Sequence, residues 1–315
     1  DLQKLSNKEL IQLYDELAHI YTQKLNASPL IDGFALSTDK LIAQKLQQFL
    51  ESKRLSEKFV QYFAILTSPI FHSFLQKEEM DLLALAEATK ENPDSRAEKL
   101  MEHQRQFFWI QNNYVKDHLL RIDFFEEKIG HFNKDYSKQR KGIQSIPKNN
   151  LRQKQALMNE LNLPTELRTL LKITDDFNYW QDERKKGTFW ATHYFSLLLE
   201  EFARRTNYTL EELKYTFPPE MHAILEKKIS KKELRQRINY CMILWIKDSY
   251  DVTTDMKLIE ELDAIGIGKI DHEKELKGFT AQLGKAIGKV KIVSSVEEIN
   301  KVGNGDVLVA VMTRP

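Results

Sequence analysis

The sequence predicts a mainly α fold, in which a multi-helix domain is followed by a small α+β portion. Apolar residues recur at spacings of three and four through about the first 230 positions, which is the period of amphipathic helices. After Lys232 the pattern changes to short apolar runs bounded by charges and glycines, which are typical of strands. The predicted domains are residues 1–232, 233–275 and 276–315.

Composition excludes several classes of protein. The 315 residues include 47 basic and 46 acidic side chains, so no global charge favours nucleic acid or an anionic membrane. One cysteine excludes a disulfide framework and favours the reducing cytoplasm. No apolar segment reaches the roughly 18 residues of a membrane helix, which predicts no membrane partner. The chain begins with Asp1 and stops at Pro315, which predicts a fragment or a processed product.

Local patterns define the first helices. Leu10, Tyr14 and Leu17 form one apolar stripe, preceded by Ser6 and Glu9 at the spacing of a capping box. A second helix is predicted around residues 41–50. Its candidate N-cap residues are Ser37, Thr38 and Asp39. Further helices are predicted over residues 57–66, 71–88, 96–114 and 123–129.

Residues 134–154 form the most polar stretch, with seven basic residues and one acid. Gly142 and Pro147 interrupt it, so it is predicted to be a connecting loop, with a helix resuming near Leu151. The alternative is a nucleic-acid-binding surface, which the balanced net charge disfavours.

Separate shorter helices are predicted after this loop. They cover residues 164–171, 174–184, 190–205 and 218–225. Thr209 and Glu212 repeat the capping-box spacing. Residues 240–246 and 250–253 are predicted to form a β-hairpin, and residues 257–262 a short helix.

The last segment has the pattern of a small α/β unit. Val290 and Ile292 alternate with lysines, as in a half-buried strand. Ser295 and Glu298 then favour a short helix, and residues 303–306 favour a turn. Residues 307–312 are continuously apolar, which predicts a strand buried on both faces.

This segment resembles the start of the swivelling phosphohistidine domain of phosphoenolpyruvate-utilising enzymes, such as phosphoenolpyruvate synthase and pyruvate phosphate dikinase. The resemblance covers about an eighth of the chain. The family pattern of glycines, strand and T-x-P is matched at Gly278, Ala281, Gly284, Gly288, Val290, Gly305, Asp306, Val307, Leu308, Val309, Thr313 and Pro315. The fold class it implies for residues 276–315 is a truncated swivelling β/β/α domain of the phosphohistidine type.

The resemblance implies an enzyme that relays a phosphoryl group from ATP or phosphoenolpyruvate through a mobile histidine to an acceptor. The family's phosphorylated histidine would follow Pro315, so this chain alone is expected to be inactive. Mg²⁺ and ATP or phosphoenolpyruvate are implied as cofactors, bound outside this chain. The implied partners are a nucleotide-grasp domain or subunit and a small-molecule acceptor. The alternative is a non-catalytic helical scaffold that carries a swivelling-type module.

Several residues are candidates for this chemistry. In the family, Thr313 and Arg314 fall on the loop beside the phosphohistidine, so they are phosphate-contact candidates. Candidates for an acceptor pocket are Arg184, His193 and Tyr194, which lie beside two tryptophans. Candidates for the hinge of a swivelling domain are Gly266, Gly268 and Gly278, although ordinary turns explain them equally well.

The histidines do not predict a metal site. Eight are scattered along the chain without the spacing of helical metal ligands, so no zinc is expected. His103 lies among aromatic residues and is predicted to be a core or boundary histidine. The segment from Gly284 to Gly288 contains a lysine, but lacks the order of a phosphate-binding loop and is predicted to be a structural turn.

Overall fold

The structure, a computed structural model, describes residues 1–25, 30–246, 249–266, 285–293 and 296–310. It is 71% helical and contains two small sheets, so the mainly α prediction is confirmed. The helices are α1 (Asn7–Ile20), α2 (Leu30–Ser52), α3 (Phe59–Thr67), α4 (Phe74–Glu91), α5 (Arg96–Phe107), α6 (Ile122–His131), α7 (Tyr136–Glu160), α8 (Thr165–Arg205), α9 (Leu210–Leu213), α10 (Met221–Leu225), α11 (Lys231–Asn239) and α12 (Met256–Gly266). The strands are β1 (Met242–Ile246), β2 (Ser249–Thr253), β3 (Val290–Val293) and β4 (Val307–Ala310).

The predicted capping boxes are present. The Ser6 hydroxyl accepts from the Glu9 amide, and the Glu9 carboxylate accepts from the Ser6 amide, at the start of α1. Thr209 and Glu212 form the same reciprocal pair at α9. These signals are local, because both partners lie within one turn and no distant residue is needed.

Two helix boundaries differ from the prediction. α2 begins at Leu30, so the expected caps Ser37, Thr38 and Asp39 lie inside the helix. α5 ends at Phe107 rather than continuing to Tyr114. It ends there because the next residues fold back as a loop, in which the Leu120 amide donates to the Phe108 carbonyl at 3.0 Å.

The prediction of a connecting loop over residues 134–154 is wrong, because α7 runs from residue 136 to residue 160. Pro147 lies inside this helix and cannot donate to the Ile143 carbonyl one turn earlier. His72 supplies the missing partner, with its Nε2 atom 3.0 Å from the Ile143 oxygen. Two basic residues of the stretch also pair with acids of other helices: Lys154 with Asp175 at 2.5 Å and Arg140 with Glu87 at 3.3 Å.

The separate helices predicted after Pro164 are one continuous helix. α8 has 41 residues and a length of about 60 Å. It passes through three buried clusters, so packing along its whole length stabilises positions where the local sequence favours a break.

Each buried cluster contains a different part of α8. The N-terminal part contributes Leu167 and Leu171 to a cluster with α2, α3 and the end of α7. Phe189 joins the cluster of α4, α5 and α6. The C-terminal part contributes Leu198 and Phe202 to a cluster with α1, α9, α10 and α11. We call α1 to α11 the helical body.

The predicted hairpin and terminal strands are present. β1 and β2 are antiparallel, with Trp245 opposite Tyr250. β3 and β4 are parallel, with Val290 opposite Val307, and a 3₁₀ turn over Val296–Lys301 connects them. We call residues 285–293 and 296–310 the terminal unit. The expected burial of residues 307–312 on both faces is wrong for the described part, since Leu308 and Val309 are exposed.

Two glycines fix the geometry of the terminal unit. A Cβ atom on Gly288 would lie 2.1 Å from the Gly305 carbonyl oxygen, so a side chain would clash with backbone. Gly305 has a φ of +90°, which other residues rarely adopt. The predicted turn over residues 303–306 is confirmed, with the Asp306 amide donating to the Gly303 carbonyl at 3.1 Å. The structural turn predicted from Gly284 to Gly288 lies partly outside the described residues and stays a prediction.

No helix in the described ranges combines the length and the apolar character needed to cross a lipid bilayer.

Candidate functional site

The loop between α5 and α6 is held against the middle of α8 by two asparagines. The side-chain Nδ2 of Asn112 donates to the backbone carbonyl of Phe189 at 2.9 Å. The side-chain Oδ1 of Asn112 accepts from the backbone amide of His118 at 2.6 Å. The Asn113 carbonyl accepts from the Thr192 hydroxyl at 3.0 Å. These bonds fix the position of the loop side chains relative to α8.

The loop brings Asp117 to His193. Asp117 Oδ2 lies 2.9 Å from His193 Nδ1, and both side chains are largely buried. The imidazole also packs edge-on against Phe108 and Tyr194, with ring centroids 4.7 Å and 5.2 Å away. Among the described residues, none hydrogen-bonds to His193 Nε2. A carboxylate on one ring nitrogen orients the imidazole and leaves the other nitrogen to accept or donate a proton, as in general-base sites.

The three predicted acceptor residues do not converge. All lie on α8, where His193 and Tyr194 are adjacent and their rings are in contact, and His193 faces the loop. Arg184 is nine residues earlier, which is about 13.5 Å along the helix axis and about half a turn around it. Its side chain is buried at a different position of the body.

A cavity of about 320 Å³ lies on another face of α8. The cavity is lined by α8 and by three other segments. These are α1 with the turn after it, the tip of the α5–α6 loop and the segment around α9. The lining residues are Tyr14, Ala18, Tyr21, Thr22, Tyr114, Val115, Thr188, Thr192, Phe195, Ser196, Leu199, Leu213, Lys214, Thr216 and Pro218. The sequence analysis missed this cavity, because its walls come from four distant segments that share no motif.

An ionic network with His103 and Glu78 at its buried centre reaches the surface through Asp81 and Lys128. The ring contacts Asp81 Oδ2 at 2.7 Å and Glu78 Oε1 at 3.3 Å, and Lys128 pairs with the other Glu78 oxygen. Burial alone lowers the pKa of His103, but hydrogen bonds and charges from Asp81 and Glu78 outweigh it and raise the pKa above its ordinary value. His103 is almost fully buried, so its prediction as a core or boundary residue is confirmed.

The remaining predicted residues lie at or beyond the edges of the described ranges. Gly266 is the last residue of α12. Gly268, Gly278, Thr313 and Arg314 lie outside the described residues. In the part of the chain that the structure describes, no group of three or more His, Cys, Asp or Glu side chains is arranged to hold a metal ion.

Comparison with known proteins gives one partial relationship. The chain is 39% identical over 72 residues to a probable phosphoenolpyruvate synthase of Archaeoglobus fulgidus. The matched segment is 23% of this chain, and it spans about a tenth of that protein's length. No protein-family model matches the sequence. The match weakly suggests a relationship to phosphoenolpyruvate-utilising enzymes over part of the chain.

Proposed function

We propose that this chain is part of a phosphoenolpyruvate synthase-like phosphotransferase that acts in the cytoplasm. The observation that carries the proposal is the match of 72 residues to a probable phosphoenolpyruvate synthase. The terminal unit supports it, because Gly288 and Gly305 of the family pattern have a geometric role in joining β3 to β4.

In this proposal the two ends of the chain have different roles. The terminal unit belongs to the mobile domain whose histidine, after Pro315, carries the phosphoryl group, with Thr313 and Arg314 contacting the phosphate. Gly266, Gly268 and Gly278 serve as its hinge. A nucleotide-grasp domain or subunit supplies ATP or phosphoenolpyruvate with Mg²⁺.

The helical body would receive the small-molecule acceptor. His193 is the base that we propose for the acceptor, because Asp117 holds its Nδ1 and its Nε2 has no described partner. Tyr194 would contact the acceptor beside His193 on the same helix. Arg184 would not contact a small acceptor held at His193, because it lies about 13.5 Å away along α8 and about half a turn around it.

The test is phosphohistidine detection with labelled phosphoenolpyruvate and with ATP labelled in its β- and γ-phosphates. We expect acid-labile, alkali-stable label on the product of the complete gene and none on residues 1–315 alone. An unlabelled complete product with both donors would contradict the relay. That outcome would favour the second candidate, a non-catalytic helical scaffold with a swivelling-type module.

A further inference from the structure

The exposed face of α7 carries a row of basic side chains. Lys138, Lys141, Lys148 and Arg152 are all exposed, and they follow one another at spacings of three, seven and four residues. At 3.6 residues per turn, these spacings place all four within an arc of about 80° around the helix. The row is about 21 Å long, because a helix rises 1.5 Å per residue. We call these four residues the basic row.

The other side of α7 packs against the helical body. Leu157 is buried there in the cluster that includes α3. The basic residues on this side, Arg140 and Lys154, pair with Glu87 and Asp175. α7 therefore divides its cations into a paired set that faces the body and an exposed set that faces solvent.

The basic row has no acidic partner in the part of the chain that the structure describes. None of its four side chains forms an ion pair there, unlike those of Arg140 and Lys154. α7 itself contains no acid between Asp135, which caps its start, and Glu160, its last residue. Like charges on one helix face repel each other, so an anion that lies along the row would be stabilised by all four.

The composition of this face indicates the class of anion. Ser145 lies within the row, and no aromatic residue occurs between residues 137 and 160. Protein interfaces favour aromatic residues and are depleted in lysine, and single-stranded nucleic acids need aromatic rings for stacking. A membrane-bound helix needs a free apolar face, but that of α7 is buried in the body. The phosphates of a duplex need only spaced cations and hydrogen-bond donors.

We infer that the basic row binds the phosphate backbone of a double-stranded nucleic acid without reading its sequence. Duplex DNA carries one negative charge for about every 1.7 Å of its axis, so a row of about 21 Å can contact several phosphates. The 47 basic and 46 acidic side chains balance over the whole chain but not on this face. The inference does not depend on the phosphoryl relay, because none of the residues proposed for the relay lies on α7.

The experiment measures the fluorescence anisotropy of a labelled DNA duplex and of a labelled RNA duplex, each titrated with the 315-residue chain. The salt concentration is varied from about 50 mM to about 200 mM. Four phosphate contacts predict a slope of about −3.6 for log affinity against log salt with DNA. Lys141→Gln/Lys148→Gln should reduce the slope to about −1.8 and weaken binding more than about tenfold at the lower salt concentration.

The matched control is Lys8→Gln/Lys257→Gln. It removes the same charge from exposed lysines of α1 and α12 that form no ion pair among the described residues. Both double variants should fold, because glutamine and lysine have similar helix propensities. A reduced slope in Lys141→Gln/Lys148→Gln, with the control unchanged, supports the inference, and the duplex bound more tightly shows whether DNA or RNA is preferred.

Three results would overturn the inference. The first is no binding of either duplex at the lower salt concentration, and the second is an equal loss of affinity in the two double variants. The third is tighter binding of single-stranded DNA, polyglutamate or phosphatidylserine vesicles than of either duplex. That result would assign the basic row to a single strand, an acidic peptide or a membrane surface.

Discussion

The helical body and the terminal unit contain similar apolar residues but bury them to different extents. Leu171 of α8 has 2% exposure, whereas Leu308 of β4 has 37%. α8 has partners on several sides, while β3 and β4 form a sheet only with each other among the described residues. The region with the clearest family pattern is thus the one with little core. Its geometry depends on Gly288 and Gly305, whereas that of the body depends on packing.

The largest predicted effect is a difference in stability between two matched leucine substitutions, one in each region. Leu171→Ala should lower the free energy of unfolding by about 2–5 kcal/mol, because it leaves a cavity inside the cluster of α2, α3 and α8. Leu308→Ala should lower it by less than about 1 kcal/mol, since the side chain is already partly in water. Urea unfolding followed by circular dichroism measures both. Equal losses would contradict the contrast between the two regions.

The terminal unit should depend instead on its glycines. Gly305→Ala should weaken the β3–β4 pairing by about 1–2 kcal/mol, because alanine disfavours a positive φ. Hydrogen exchange of the Val307 amide, which donates to the Lys289 carbonyl at 2.9 Å, reports this pairing. Gly303→Ala is the control, since its added carbon would meet its nearest atom at an ordinary 3.6 Å. Faster exchange in both variants, or in neither, would refute a specific role for Gly305.

A smaller effect is expected where α7 contains its proline. His72→Ala should cost about 1 kcal/mol of stability, because the Ile143 carbonyl loses its partner. Pro147→Ala restores a backbone donor to that carbonyl, so His72→Ala should cost less in this background. A double-mutant cycle of unfolding free energies tests the coupling. Additive costs would show that His72 does not compensate for the proline.

The smallest effect concerns pH. The folded pKa of His103 is raised above 6.5, so its stabilisation is complete below that pH and is lost as the pH rises through the folded pKa. The free energy of unfolding should therefore fall as the pH rises above 6.5. His103→Gln should flatten this dependence. The unfolding free energy is measured against pH for the unaltered protein and for His103→Gln. Parallel curves would exclude a contribution from His103.

Sequence reasoning succeeded where the information was local. The capping boxes at Ser6 and Thr209 were predictable because each pair lies within one helical turn. The continuity of α7 was not predictable. Pro147 leaves the Ile143 carbonyl without a backbone donor, and His72, 71 residues from Ile143, contacts it instead. Local signals for a break are weak compared with tertiary contacts of this kind.

The same reasoning explains the candidate site. His193 was predicted as a candidate, but Asp117 was not, because the two are 76 residues apart and meet only through the fold of the α5–α6 loop. Spacing along the sequence carries no information about this pair.

The division between a phosphoryl-carrying terminal domain and an acceptor-binding helical body is the central claim. The most direct test compares three forms of the complete gene product: the unaltered protein, His193→Asn and Gly305→Ala. Each is incubated with labelled phosphoenolpyruvate and with labelled ATP. We expect equal acid-labile label on the unaltered and His193→Asn proteins and reduced label on Gly305→Ala. Loss of label in His193→Asn, with Gly305→Ala unaffected, would contradict the claim.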